Sequence, residues 1–157
     1  MERRQVTRAV AFAVATVLSG AMLAISPTRE ARAFAVPEIP APWLDDIAVA
    51  RMTSQGPVIY YNPKLCKEVG TGVCAFFRAH EYGHIELNHA SAFYTKYFGG
   101  RALAEAEADC FAAKNALRWQ VKAAMSWFLS PDRIDFDAGD HGTGRVRAKR
   151  LKECGGL

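Results

Sequence analysis

The chain reads as an α+β domain, mostly helical with a small β-hairpin or sheet, and three observations predict this. Two short stretches rich in β-branched and aromatic residues, 47–53 and 58–61, flank the turn residues Ser54, Gln55, Gly56 and Pro57. Cys74, Phe77, Glu81 and Ile85 recur at helical spacing within residues 72–89, and an alanine-rich run begins at Arg101. A length of 157 residues, half of them hydrophobic, gives room for one modest core and argues against an elaborate multidomain organisation.

Residues 1–33 read as an export signal. Arg3, Arg4 and Arg8 precede an uncharged run over 9–25, and a small-x-small pattern follows at Ala31-Arg32-Ala33. Cleavage there makes the chain exported, periplasmic or secreted; an uncleaved segment would act as a membrane anchor instead. Residues 34–45 contain Pro37, Pro40 and Pro42, which prevent helix, and read as an extended leader ahead of a domain over 46–157.

The hairpin comes next, and Asn62-Pro63 breaks its second strand. After a loop from Cys66 to Cys74, the first helix is expected over 72–89. Gly99-Gly100 separates it from a second long helix over 101–128, ended by Pro131. Residues 132–141 lack regularity. Thr143 is placed to cap a short C-terminal helix running to about Cys154.

The charge balance excludes a nucleic-acid or anionic-membrane surface. Residues 1–33 carry five arginines and two glutamates, so the remainder is close to neutral at +1, against +4 for the whole chain. The basic cluster Arg145, Arg147, Lys149, Arg150 and Lys152 reads as the solvated face of the last helix. Cys66, Cys74, Cys110 and Cys154 make an even count that suggests two disulfides in an exported chain. Three connectivities are open; the favoured one pairs Cys66 with Cys74 and Cys110 with Cys154. No spacing matches a Cys-x-x-Cys metal pair.

The strongest chemical signal is His80-Glu81-Tyr82-Gly83-His84, an H-E-x-x-H pattern within a segment expected to be helical on other grounds. Two histidines four apart share one helix face, so both imidazoles reach one zinc ion, and Glu81 beside them suits a general base for a water acidified by the metal. A third ligand is expected from the acidic residues of Glu105-Ala106-Glu107-Ala108-Asp109. Glu105 and Asp109 share a face; with Glu105 on the metal, Asp109 sits one turn away, where it can hydrogen-bond a ligand histidine and fix its tautomer. Glu107 points about 200° around the helix from Glu105. His89 lies about 140° round the helix from His84 and is expected to face away from the metal. Tyr60, Tyr61 and Tyr82 read more simply as core residues than as site residues, and Trp119, Trp127 and Phe128 as core or helix-packing residues.

HEYGH followed by EAEADCFAA resembles the gluzincin metallopeptidases, especially their HtpX-like and CAAX-prenyl-protease-like group. HEYGHIELNH is also similar to the short ImmA/IrrE-like regulatory peptidases. The first resemblance covers roughly residues 58–151 and implies a minimal soluble zincin-like domain. It implies that His141 and Arg147, six apart as in that group, help stabilise the transition state as catalytic residues. It also implies that the hairpin near 58–61 offers an edge strand to an extended peptide or protein substrate. A Cys110 to Cys154 bridge would then clamp the segment carrying Arg147 over the third-ligand helix. The expected activity is zinc-dependent peptide-bond hydrolysis, the alternative being a zinc-binding regulatory protein of the same fold with little or no turnover.

Overall fold

In the computed structural model, residues 36–90 and 100–157 are described, and the signal expected over 1–33 lies outside them. The chain is α+β and mostly helical, with one three-stranded mixed sheet. Strands β1 (Glu38–Pro40), β2 (Ala48–Thr53) and β3 (Gly56–Tyr61) stand in the order β1-β3-β2. β2 and β3 form the expected antiparallel hairpin, with Ala50 opposite Ile59. β1 pairs parallel to β3, so the proline-rich segment is extended as expected and also supplies a strand. The hairpin offers an edge strand, and it is β2: residues 58–61 lie in the central strand, flanked on both sides, and among the described residues β2 is paired on one side only.

Helix α1 (Pro63–Val69) occupies a stretch read as a strand break and loop. Asn62 is the reason. Its Oδ1 accepts from the amides of Lys64 at 2.8 Å and Leu65 at 3.3 Å, while Pro63 takes the first helical position, where no amide donor is needed. Helix α2 (Thr71–Glu86) follows, tied to α1 by the Cys66–Cys74 disulfide.

The second long helix expected over 101–128 is two helices, α3 (Arg101–Asn115) and α4 (Arg118–Phe128). Ala116 and Leu117 are extended, and the Leu117 amide donates to Gln120 Oε1 at 2.9 Å, which caps the new helix. Helix propensity favours continuity through this stretch, but the bend lets Val121, Ala124 and Phe128 bury with Phe76 of α2, and packing outweighs propensity. Helix α5 (Gly144–Gly155) starts where expected, with Thr143 Oγ1 accepting from the Val146 amide at 3.3 Å.

Helix α2 is the element around which the others are arranged. One side carries Phe76 and Ala79 into a cluster with Ala112, Ala113, Val121, Ala124, Phe128, Ala148 and Leu151. The other packs Tyr82 against Ala48 and Ile59 of the sheet, and the Tyr82 hydroxyl donates to the Val36 carbonyl at 2.8 Å. Phe128 and Tyr82 are core residues as read. Trp119, 53% exposed, is a helix-packing residue whose ring lies against Gly72 of α2. The Cys110–Cys154 disulfide joins α3 to α5, completing the favoured pairing.

Candidate metal centre

The sequence H-E-Y-G-H forms part of α2 because it lies within the amphipathic run from Val73 to Ile85, and its third residue, Tyr82, anchors that helix to the sheet. Its glycine has a separate purpose. A Cβ on Gly83 would stand 2.9 Å from Ala108 Cα and 3.1 Å from Phe111 Cβ, so only glycine lets α2 and α3 cross this closely. That close crossing is what brings the carboxylates of α3 to the histidines of α2.

His80, His84 and Glu105 converge, with one ligand atom of each within 4.8 Å of the others, and this group can hold a metal ion. His80 Nε2 lies 3.0 Å from Glu105 Oε2, and His84 Nε2 lies 3.2 Å from the same oxygen and 3.1 Å from His80 Nε2. The opposite nitrogens point elsewhere: His80 Nδ1 is 3.0 Å from Asp109 Oδ1, and His84 Nδ1 is 2.9 Å from His89 Nδ1. Asp109 is fully buried and stands behind His80.

Glu81 lies beside this group, with its Oε2 accepting from the amide of Ala50 at 2.7 Å. Ala50 belongs to β2, so the open edge of the sheet reaches the site through this bond. Glu81, His84 and Glu105 line a cavity of about 240 Å³ together with Arg51, Met52 and Ile85. Tyr60, Tyr61 and Tyr82 do not line it.

The electrostatics follow from burial and these contacts. Burial pulls the His80 imidazole down, but hydrogen bonds to Asp109 and Glu105 outweigh it and raise the group to about 9 in the metal-free chain. Burial pushes the Glu81 carboxyl up, opposed by the neighbouring imidazoles and the Ala50 amide. Glu105 is held far below the usual carboxylate range: burial opposes this, and the hydrogen bonds from His141, His80 and His84 overcome it. Asp109 is likewise depressed against its burial by His80 and Arg147.

His141 and Arg147 part company. His141, on a short 3-10 turn (Gly139–His141), places Nε2 2.8 Å from Glu105 Oε2 and stays partly exposed beside the group. Arg147 does not reach the cavity. It is 5% exposed, donates through Nε and Nη2 to Asp109 at 3.1 and 2.6 Å, and stacks over the rings of Phe128 and Phe77. With its Nε/Nη2 edge on the buried carboxylate behind His80, and outside the cavity lining, Arg147 is held as a positioning partner of Asp109 rather than at the catalytic place expected of it. The reading of the basic cluster as a wholly solvated face fails for the same reason. Arg150, three residues on, also turns inward and donates to Asp109 at 2.8 Å.

Three site neighbours escaped the sequence reading: Arg150, His89 and Glu107. The R-x-x-R spacing opposite E-x-x-x-D was a signal for Arg150. His89 was misplaced because α2 ends at Glu86, and Asn88, at φ +56°, reverses the chain. His89 is therefore buried against His84 with its Nε2 3.1 Å from Glu107 Oε2.

No family model, curated protein or solved structure matches this chain. Fold and site define the class by themselves: a helical α+β domain, stapled by two disulfides, carrying a His/His/Glu group that can hold a metal ion. Two disulfides indicate an oxidising environment. Among the described residues no helix is long and apolar enough to cross a membrane.

Proposed function

We propose that this chain is an exported zinc-dependent metallopeptidase that hydrolyses peptide bonds, with His80, His84 and Glu105 as ligands and Glu81 as general base. The observation that carries the reading is convergence: the Nε2 atoms of His80 and His84 meet the Glu105 carboxylate, and a second carboxylate, Glu81, lines the same cavity as His84 and Glu105, beside a strand edge unpaired among the described residues. The donor set fits zinc. Both histidines present Nε2 inward because their Nδ1 atoms are engaged by Asp109 and His89, and His/His/Glu with an open position is a catalytic rather than a structural zinc set.

When bound, the ion supplies Lewis acidity, acidifying a water and polarising a carbonyl oxygen. Glu81 takes a proton from the attacking water as its oxygen bonds to the scissile carbon. The same carboxyl then delivers that proton to the leaving amine nitrogen as the carbon–nitrogen bond breaks. Its burial favours this exchange, because a raised carboxyl pKa lies closer to working pH. The Ala50 amide orients Glu81 from one side. His141, partly exposed and next to Glu105, is placed to donate to the oxygen on which negative charge develops. An extended peptide or protein segment would pair along β2, where Arg51 and Met52 flank the cavity.

The test is metal content and cleavage of unfolded protein substrates by the oxidised chain, beside Glu105→Ala and Glu81→Gln. The expected result is one zinc per chain, weakened in Glu105→Ala, with cleavage abolished and zinc kept in Glu81→Gln. Zinc without cleavage in the unaltered chain would move the assignment to a regulatory zinc-binding protein of this fold.

A further inference from the structure

The deep ligand His80 is backed by a carboxylate in direct contact, whereas the outer ligand His84 is backed by another histidine, and the difference assigns a function to two residues. We infer that His89 and Glu107 form a positioning pair that fixes the tautomer and ring orientation of His84; this rests on His84 being a metal ligand.

The geometry begins at the end of α2. In an unbroken helix His89 would stand about 140° around the axis from His84, out of contact. Instead the amides of Leu87, Asn88 and His89 donate to the carbonyls of Gly83, Ile85 and His84, each at 3.0 Å, and Asn88 adopts the left-handed conformation at φ +56°. That turn lays the His89 ring back on His84, with centroids 5.0 Å apart and planes at 77°. His89 is 8% exposed, so this arrangement is part of the packed structure.

Polarity then determines where each proton sits. His84 Nε2 faces His80 Nε2 and Glu105 Oε2, so for His84 to bind a cation there Nε2 must keep its lone pair and Nδ1 must carry the proton. That Nδ1–H donates to His89 Nδ1 at 2.9 Å. With Nδ1 accepting, a neutral His89 carries its own proton on Nε2 and donates it to Glu107 Oε2 at 3.1 Å. Every donor in this chain meets an acceptor. The reverse assignment puts a proton on His84 Nε2, which removes a ligand, and sets the His89 Nε2 lone pair against the Glu107 carboxylate. Helix α3 thus supplies three carboxylates with three tasks: Glu105 joins the ligand group, Asp109 orients His80 directly, and Glu107 orients His84 through His89.

The experiment uses the zinc-loaded chain. Long-range proton–nitrogen spectra of its histidines are expected to show His84 protonated at Nδ1 and His89 at Nε2. In chelator competition, His89→Phe is expected to bind zinc 10- to 100-fold more weakly, the range usual for loss of such an outer partner. His89→Asn, whose Oδ1 stands where Nδ1 stood and still accepts from His84, is expected to recover most of that loss. Coordination of His84 through Nδ1, a proton on His89 Nδ1, or zinc held as tightly by His89→Phe as by the unaltered chain each overturns the inference and leaves the zinc assignment standing. Failure of the unaltered, folded chain to bind zinc overturns the zinc assignment and the inference with it. Should His89→Phe not fold, the spectra of the unaltered chain decide.

Discussion

His80 and His84 stand one turn apart on α2, yet the two sides of the site they belong to are built differently. Behind His80, Asp109 is fully buried and accepts from Arg147 and Arg150 of α5 as well as facing the imidazole, and the Cys110–Cys154 bridge fastens the same two helices next to it. In front, Glu81 and His84 face a cavity, Glu81 is held by one backbone amide from an edge strand, and His141 stays partly exposed. The closed side satisfies every charge and fixes geometry. The open side leaves a half-buried carboxylate, Glu81, facing the cavity with less compensation, an arrangement that stability disfavours and the proposed chemistry needs. The difference can be tested from either side.

The largest effect is expected from Asp109→Ala. It strips a buried guanidinium of its partner, a change that costs about 3–5 kcal/mol, and frees His80 to rotate. Denaturant unfolding of the variant should show this loss, together with zinc binding weakened by more than tenfold. Unchanged stability would mean that the closed side is no more built than the open one. Opening the disulfides compares the two ends of the fold in the same terms. The chain-entropy relation gives about 4 kcal/mol for a bridge 44 residues apart and about 2.5 kcal/mol for one 8 apart. Cys110→Ser with Cys154→Ser should therefore lower the unfolding free energy more than Cys66→Ser with Cys74→Ser.

Gly83→Ala should cost about 1–3 kcal/mol by overpacking the crossing of α2 and α3, since the nearest atom to the new methyl is backbone and cannot swing away. The same displacement moves Glu105 from the histidines, so zinc affinity should fall with stability. Zinc held unchanged would show that the third ligand does not depend on this close approach.

What the sequence made legible was whatever depends on local spacing. The i, i+4 histidines, the i, i+4 pair Glu105 and Asp109, the hairpin turn and the Thr143 cap are all set within a few residues, and each stands where spacing put it. What was missed depended on where the chain stops being regular. His89 was placed by continuing a helix that a left-handed Asn88 ends, the extended pair Ala116 and Leu117 breaks an alanine-rich run, and Asn62 starts a helix where proline suggested only a strand end. Arg147 shows a third kind of miss. Its neighbourhood was anticipated, but whether its guanidinium turns toward the cavity or toward Asp109 is decided by the packing of α5 on α3, which no spacing within α5 records.

Proton linkage separates the two sides further. The His80 pKa of about 9 in the metal-free chain lies above the ordinary histidine value of 6.5, so its stabilising contribution is fully present below pH 6.5 and is lost as pH rises through 9. Metal binding requires the neutral ring, so loading at pH 7 must expel this proton. Zinc affinity should therefore rise about tenfold per pH unit on approach to pH 9, and calorimetric titrations in buffers of different ionisation enthalpy should detect the released proton. Affinity independent of pH across that window would place His80 outside the ligand set.

The smallest expected change is opposite in sign to the others. Burial raises the Glu81 carboxyl above its unfolded value, so its ionised form is disfavoured in the folded chain. The fold is accordingly more stable below the unfolded carboxylate range, and loses that increment as pH climbs through the raised folded value. At neutral pH the substitution Glu81→Gln removes the buried charge while its side-chain carbonyl still accepts from the Ala50 amide. The metal-free variant should therefore melt slightly above the unaltered chain at pH 7, with the gap closing in acid. The same substitution on the closed side, Asp109→Asn, should lower the melting temperature, because there the carboxylate is depressed and paired with arginine. Opposite signs for two carboxylate-to-amide changes within one site would separate the weakly compensated carboxylate of the proposed general base from the satisfied one that holds the site in place. A fall in both would show that Glu81 is as structurally compensated as Asp109.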